Sequence, residues 1–133
     1  MTRLLLAALC LAPTPLLAQD APEVDCANAM SQMEMTACAE QDWNAADEAL
    51  NEAWAPAMAR MRALDEDQPE NLKGAADALR AAQRAWVGYR DLACTAEGYQ
   101  YRGGSMEPMV IYSCRARLTE ARTEELQALA APM

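Results

Sequence analysis

From Ser31 onward the apolar residues of this chain recur at helical spacing, and that periodicity limits the fold more than any other feature. "SQME" sets a serine three residues before a glutamate, a capping box with Ser31 as N-cap and Glu34 reaching back, so a helix is expected from about Gln32. Trp43, Leu50, Trp54, Ala57, Met61 and Leu64 then form its buried stripe. Pro56 interrupts the stripe, but the period continues through it, which predicts a kink in place of a stop. "DEDQPE" reads as the following turn, with Asp67 and Glu70 at capping-box spacing and Pro69 in the first turn of a second helix. That helix carries Leu72, Leu79, Trp86 and Ala93 on one stripe, with Ala75, Ala82 and Tyr89 beside it, and runs to about Ala96. A third runs from about Met106 to Leu129 through Ile111, Cys114, Leu118 and Leu126. No segment alternates as a strand, so the expected fold is all-α: a small antiparallel three-helix bundle, up-down-up.

Residues 1–18, "MTRLLLAALCLAPTPLLA", precede this pattern with one early cation, a short proline-broken apolar run and a small residue at Ala18. They read as a secretory signal peptide, too short to span a bilayer, and nothing later is apolar enough to span. Residues 19–30 form an acidic leader, and 31–130 the helical domain. Cys10 follows Leu9, where lipidation favours a small residue, so a lipoprotein is disfavoured. The mature protein is expected to be soluble and exported.

Cleavage leaves 115 of 133 residues and four cysteines: Cys26, Cys38, Cys94 and Cys114. An even number in an exported chain implies two disulfides, with three pairings open. All but Cys26 are placed at one end of the bundle by the helix assignments. The local pairing, Cys26 with Cys38 and Cys94 with Cys114, closes the shortest loops and is preferred; each bridge of this size contributes about 3 kcal/mol. The gaps of 12, 56 and 20 residues are too wide for a zinc site, and the chain has no histidine to complete one. No metal or cofactor is expected. The core is soft, with no phenylalanine, many alanines and eight methionines after cleavage, which fill gaps but specify packing weakly.

The formal net charge is −9, and losing Arg3 with the leader takes it to −10. Such a chain repels nucleic acid and anionic lipid and attracts cationic partners. Without histidine, nothing ordinary titrates between pH 5 and 8, which removes histidine base chemistry.

Two constellations stand out. Asp47 on the first helix and Arg90, one turn beyond Trp86 on the second, both face inward; an ion pair with Asn51 and Gln83 as neighbours would satisfy the charges and set helix register. A catalytic Asp47 lacks an identifiable second acid. The second is "GYQYRGGSMEP", residues 98–108. Gly103 and Gly104 suit an anion-binding nest, but no Walker lysine or preceding strand accompanies them; the favoured reading is a tight turn with Ser105 capping the third helix and Glu107 in its first turn. That turn displays Tyr99, Tyr101 and Arg102, residue types enriched in binding hot spots.

These residues carry a family resemblance. "DC…SQMEMTACA…ADEALNEAW", "LRAAQRAWVGYRDLAC" and "GGSMEPMVIYSCRARLTEARTEEL" resemble the LprI-type lysozyme inhibitors, also called the DUF1311 domain, over about residues 26–129. The resemblance rests on the ordered cysteines, an Asp-x-x-Leu-Asn motif, a Gln-Arg-x-Trp-x-x-Tyr-Arg-Asp motif and the Gly-Gly-Ser turn. Trp43 and Trp54 stand where the family often has tyrosine, and Pro56 is unusual in the helix. The resemblance implies a periplasmic protein that binds and inhibits lysozyme without being an enzyme. A lysozyme-type cationic protein is then the expected partner of a monomer or weak homo-oligomer. Two surfaces compete for the contact: the loop of Tyr99, Tyr101, Arg102, Gly103, Gly104 and Ser105, and the acidic turn of Asp65, Glu66, Asp67 and Glu70. The loop is preferred because disulfides and caps preorganise it. The alternative function is a periplasmic binding or assembly module with another protein partner.

Overall fold

The computed structural model describes residues 24–132; the signal-peptide reading and the first part of the leader lie outside them. Helices α1 (Gln32–Glu66), α2 (Ala75–Gly98) and α3 (Glu107–Ala130) form the expected all-α three-helix bundle, joined by single 3-10 turns at Glu70–Leu72 and Tyr99–Tyr101. The described residues contain no strand. α1 and α3 make the principal interface, and α2 packs on the pair.

The start of α1 follows its local code. Ser31 Oγ accepts from the Glu34 N–H at 3.2 Å, and Glu34 Oε2 accepts from the Ser31 N–H at 2.9 Å. The helix continues through Pro56 for 35 residues. Its stripe meets the other helices in a core of Leu50, Ala53, Ala57 and Met58 from α1, Ala76 and Leu79 from α2, and Leu126 from α3. Trp54, Met61 and Trp86 pack against this core at its edge. Alanines supply much of the buried surface, and small contact side chains let helix axes approach closely.

Both disulfides take the local pairing: Cys26–Cys38 with a Cα separation of 5.6 Å and Cys94–Cys114 with 5.4 Å. The second joins the end of α2 to α3 inside the core, where both cysteines are buried. Gly98 is buried beside it, and a Cβ there would lie 2.6 Å from Ile111 Cγ1, so α2 ends against α3 at a distance only glycine permits.

Three local expectations are corrected. Asp67 and Glu70 do not start α2. Its first N–H groups are held by Asp65: Oδ1 accepts from Gly74 and Ala75 at 2.8 Å each, and Oδ2 from Ala76 at 3.0 Å. The turn needs Gly74 at φ 137°, and Leu72, assigned to the buried stripe, is exposed in the 3-10 turn. Ala82 and Tyr89 likewise face solvent, because α2 buries only a narrow face. The methionines are not mainly core filling: Met58 is buried, but Met30, Met33, Met35 and Met106 are exposed.

Candidate functional site

The end of the bundle that holds the disulfides combines the start of α1, the end of α2, and the loop into α3. Gly98 terminates α2, Tyr99–Tyr101 make one 3-10 turn, and Gly103 at φ 76° reverses the chain. The Gly104 N–H donates to the Tyr101 carbonyl at 2.9 Å, closing the turn. The expected cap is then replaced. Met106 occupies the N-cap position of α3 without a side-chain bond, and Ser105 is exposed. Glu107 does the fastening: its Oε2 accepts from the Gly103 N–H at 2.8 Å, and its Oε1 from Arg102 Nη1 at 2.6 Å. These bonds, the Gly103 N–H first, hold the Glu107 carboxyl below the usual carboxylate range. Ser105 stands one residue before the N-cap of α3 and does not cap it.

Of the loop residues, Tyr99 is 58% and Tyr101 41% exposed. Arg102 stacks over the Tyr99 ring at 4.8 Å while pairing with Glu107, so one cation is held from two sides. Ser105 also borders a mostly apolar groove of about 560 Å³ with Gln32, Met33, Thr36 and Pro108. Gln32 Nε2 reaches Met109 Sδ at 3.4 Å, tying the start of α1 to α3. Met33 therefore shares this groove with Ser105 of the loop and is 80% exposed, and Met30, just before the N-cap Ser31, is 88% exposed. Sequence reasoning missed Met33 as a groove residue.

The competing acidic turn lies at the opposite end. Asp65 is occupied with capping α2, and Glu70 pairs with Lys73 at 2.9 Å, so two of its four carboxylates already have partners.

Mid-bundle, Arg90 is buried as expected. Its Nη1 lies 3.4 Å from both Asp47 Oδ1 and Thr119 Oγ1, its Nε donates to Asp91 Oδ1 at 3.0 Å, and its guanidinium sits over Trp43 and Trp86 at 5.5 and 5.2 Å. Asn51 Nδ2 reaches Asp47 Oδ2 at 3.4 Å. Gln83 does not bond the pair; its Oε1 accepts from Arg122 Nε at 3.0 Å. Arg115 adds a second cation over Trp43 at 4.8 Å, and Trp43 stacks on Tyr112. Among the described residues no histidine, cysteine, aspartate or glutamate cluster could hold a metal, and no helix is long and apolar enough to cross a membrane.

Fold and site together define a small disulfide-braced three-helix domain whose cysteine-bearing end is stiffened and partly apolar. The chain belongs to the LprI lysozyme-inhibitor family, whose model, "Lysozyme inhibitor LprI", matches residues 25–126. It is 49% identical over 111 residues to an uncharacterised protein of Rhizobium meliloti strain 1021, covering 81% of this chain and 80% of that one. It is also similar to the crystal structure of a DUF1311 family protein from Pseudomonas putida KT2440, with a TM-score of 0.63 and 25% identity over 78% of this chain and 97% of that one.

Proposed function

We propose that this protein is an exported, non-enzymatic lysozyme inhibitor that works in the periplasm and occludes its target with the loop Tyr99–Ser105. The observation that carries the reading is the groove in which Ser105 of that loop meets Met33 of α1 at the disulfide-braced end. Family membership supplies the class of partner. Physical support comes from three sides. The loop is held by Glu107, Gly103 and the Cys94–Cys114 bridge before any partner arrives, which lowers the ordering cost of binding. Exposed tyrosines, an arginine and methionines supply contact area at its rim. The strongly acidic balance, −9 for the full chain and −10 once Arg3 is lost with the leader, steers the molecule towards a cationic enzyme.

The test is lysis of peptidoglycan suspensions by lysozymes of several types, followed by turbidity with and without the purified protein. Inhibition of at least one type is expected. Inhibition of none, with the protein folded by circular dichroism, would favour a binding or assembly module with another partner.

A further inference from the structure

We propose that a second site, on the flank of the bundle, binds a neutral saccharide. Between α1 and α2 lies a groove of about 360 Å³ lined by Asp47, Asn51, Trp54, Gln83 and Arg90, together with aliphatic carbons of Leu50 and Val87. Asp47 is fifteen residues beyond Gln32, about 22 Å along the axis of α1. The groove is therefore separate from the loop end.

Its electrostatics select the ligand. Among the described residues, the charged ones lining it are Asp47 and Arg90, and they pair with each other, so their formal charges cancel. Arg90 is further occupied by Asp91 and Thr119, which leaves no forked guanidinium for a carboxylate or phosphate. A free cation would meet an aspartate already neutralised by its partner. What stays open is uncharged hydrogen bonding. Among the described residues, Asn51 Oδ1 and Gln83 Nε2 have no protein partner, since Asn51 uses its Nδ2 on Asp47 and Gln83 its Oε1 on Arg122. Trp54 packs against the core and also lines the groove, giving an apolar ring surface beside these amides. An aromatic surface flanked by planar acceptors and donors matches a sugar ring, with its C–H face and its hydroxyl or acetamido rim.

The lining comes from two helices, Asp47, Leu50, Asn51 and Trp54 from α1 and Gln83, Val87 and Arg90 from α2. Asn51 is exposed and its bond to Asp47 is long, 3.4 Å, which leaves its amide open to a ligand.

The test is a two-dimensional NMR titration of the purified protein with the β-1,4-linked trimer of N-acetylglucosamine, with a neutral tripeptide of similar length as comparison. Saturable shifts of the Trp54 indole and of the Asn51 and Gln83 side-chain amides are expected with the trimer and not with the tripeptide. Asn51→Ala, an exposed position, should weaken trimer binding about five- to tenfold, the loss of one hydrogen bond, with the melting temperature and lysozyme inhibition unchanged. Absence of saturable shifts at these three side chains, equal response to the tripeptide, or wild-type affinity in Asn51→Ala each overturns the proposal, whatever the inhibition assay shows.

Discussion

Asp65, in the last turn of α1, caps a helix other than its own: its Oδ1 accepts the Gly74 N–H at 2.8 Å across nine residues of chain. With Ala75 and Ala76 it satisfies three of the N–H groups that any α-helix start leaves free. Removing it exposes those groups, whereas Asp67, nearer in sequence to a conventional cap, makes no such bond. Asp65→Ala should therefore lower the melting temperature by several degrees and Asp67→Ala should leave it nearly unchanged. Thermal unfolding of the two variants side by side decides the matter.

The same cap has a pH signature. Backbone N–H bonds, from Ala76 first, hold the Asp65 carboxyl below its ordinary value; Ser31 and Gly103 N–H groups do the same for Glu34 and Glu107. A carboxylate depressed in the folded state contributes stability above its unfolded value, and that contribution is lost as pH falls through the folded one. Stability should be nearly flat from pH 5 to 8, where no histidine titrates, and should fall below about pH 4. Urea unfolding across this range, repeated with Asp65→Asn, should show a shallower acid decline in the variant.

Gly98 faces Ile111 with no room for a methyl group. Gly98→Ala should destabilise the protein by about 1–3 kcal/mol through overpacking, despite alanine's better helix propensity. Shortening the opposing side chain in the double variant Gly98→Ala with Ile111→Val should recover part of that loss. Additive losses in the urea midpoints would show that the contact is not the cause.

The two disulfides differ in access. Cys94 and Cys114 are buried, whereas Cys26 is exposed. Mild reduction under native conditions should open Cys26–Cys38 first, as read by thiol alkylation and mass spectrometry. Replacing both Cys94 and Cys114 by alanine should cost about 3 kcal/mol, and inhibition should weaken with it because the loop loses its brace.

Tyr101→Ala and Met33→Glu alter opposite halves of the proposed inhibitory surface, and both side chains are exposed. Each should raise the inhibition constant at least tenfold with little change in melting temperature. An unchanged constant in both would remove this end of the bundle from consideration.

Local and periodic information in the chain was sufficient for the helices, for the Ser31–Glu34 cap, and for the inward pairing of Asp47 with Arg90, because each depends on residues a turn or two apart or on one apolar face. It also contained the loop, since Gly103 has no other use for a positive φ than to turn the chain. Other assignments depended on groups brought together only after the helices packed. Asp65 displaced Asp67 because the turn returns α2 to the end of α1, and Glu107 displaced Ser105 because the loop closes onto its carboxylate. Gly98 acquired its constraint from Ile111, thirteen positions away, and Met30, Met33, Met35 and Met106 are exposed while alanines occupy many of the buried positions. Helical periodicity tells which side chains share a face; which of them meet a partner, and which remain open to solvent, is set by helices that approach one another from distant parts of the chain.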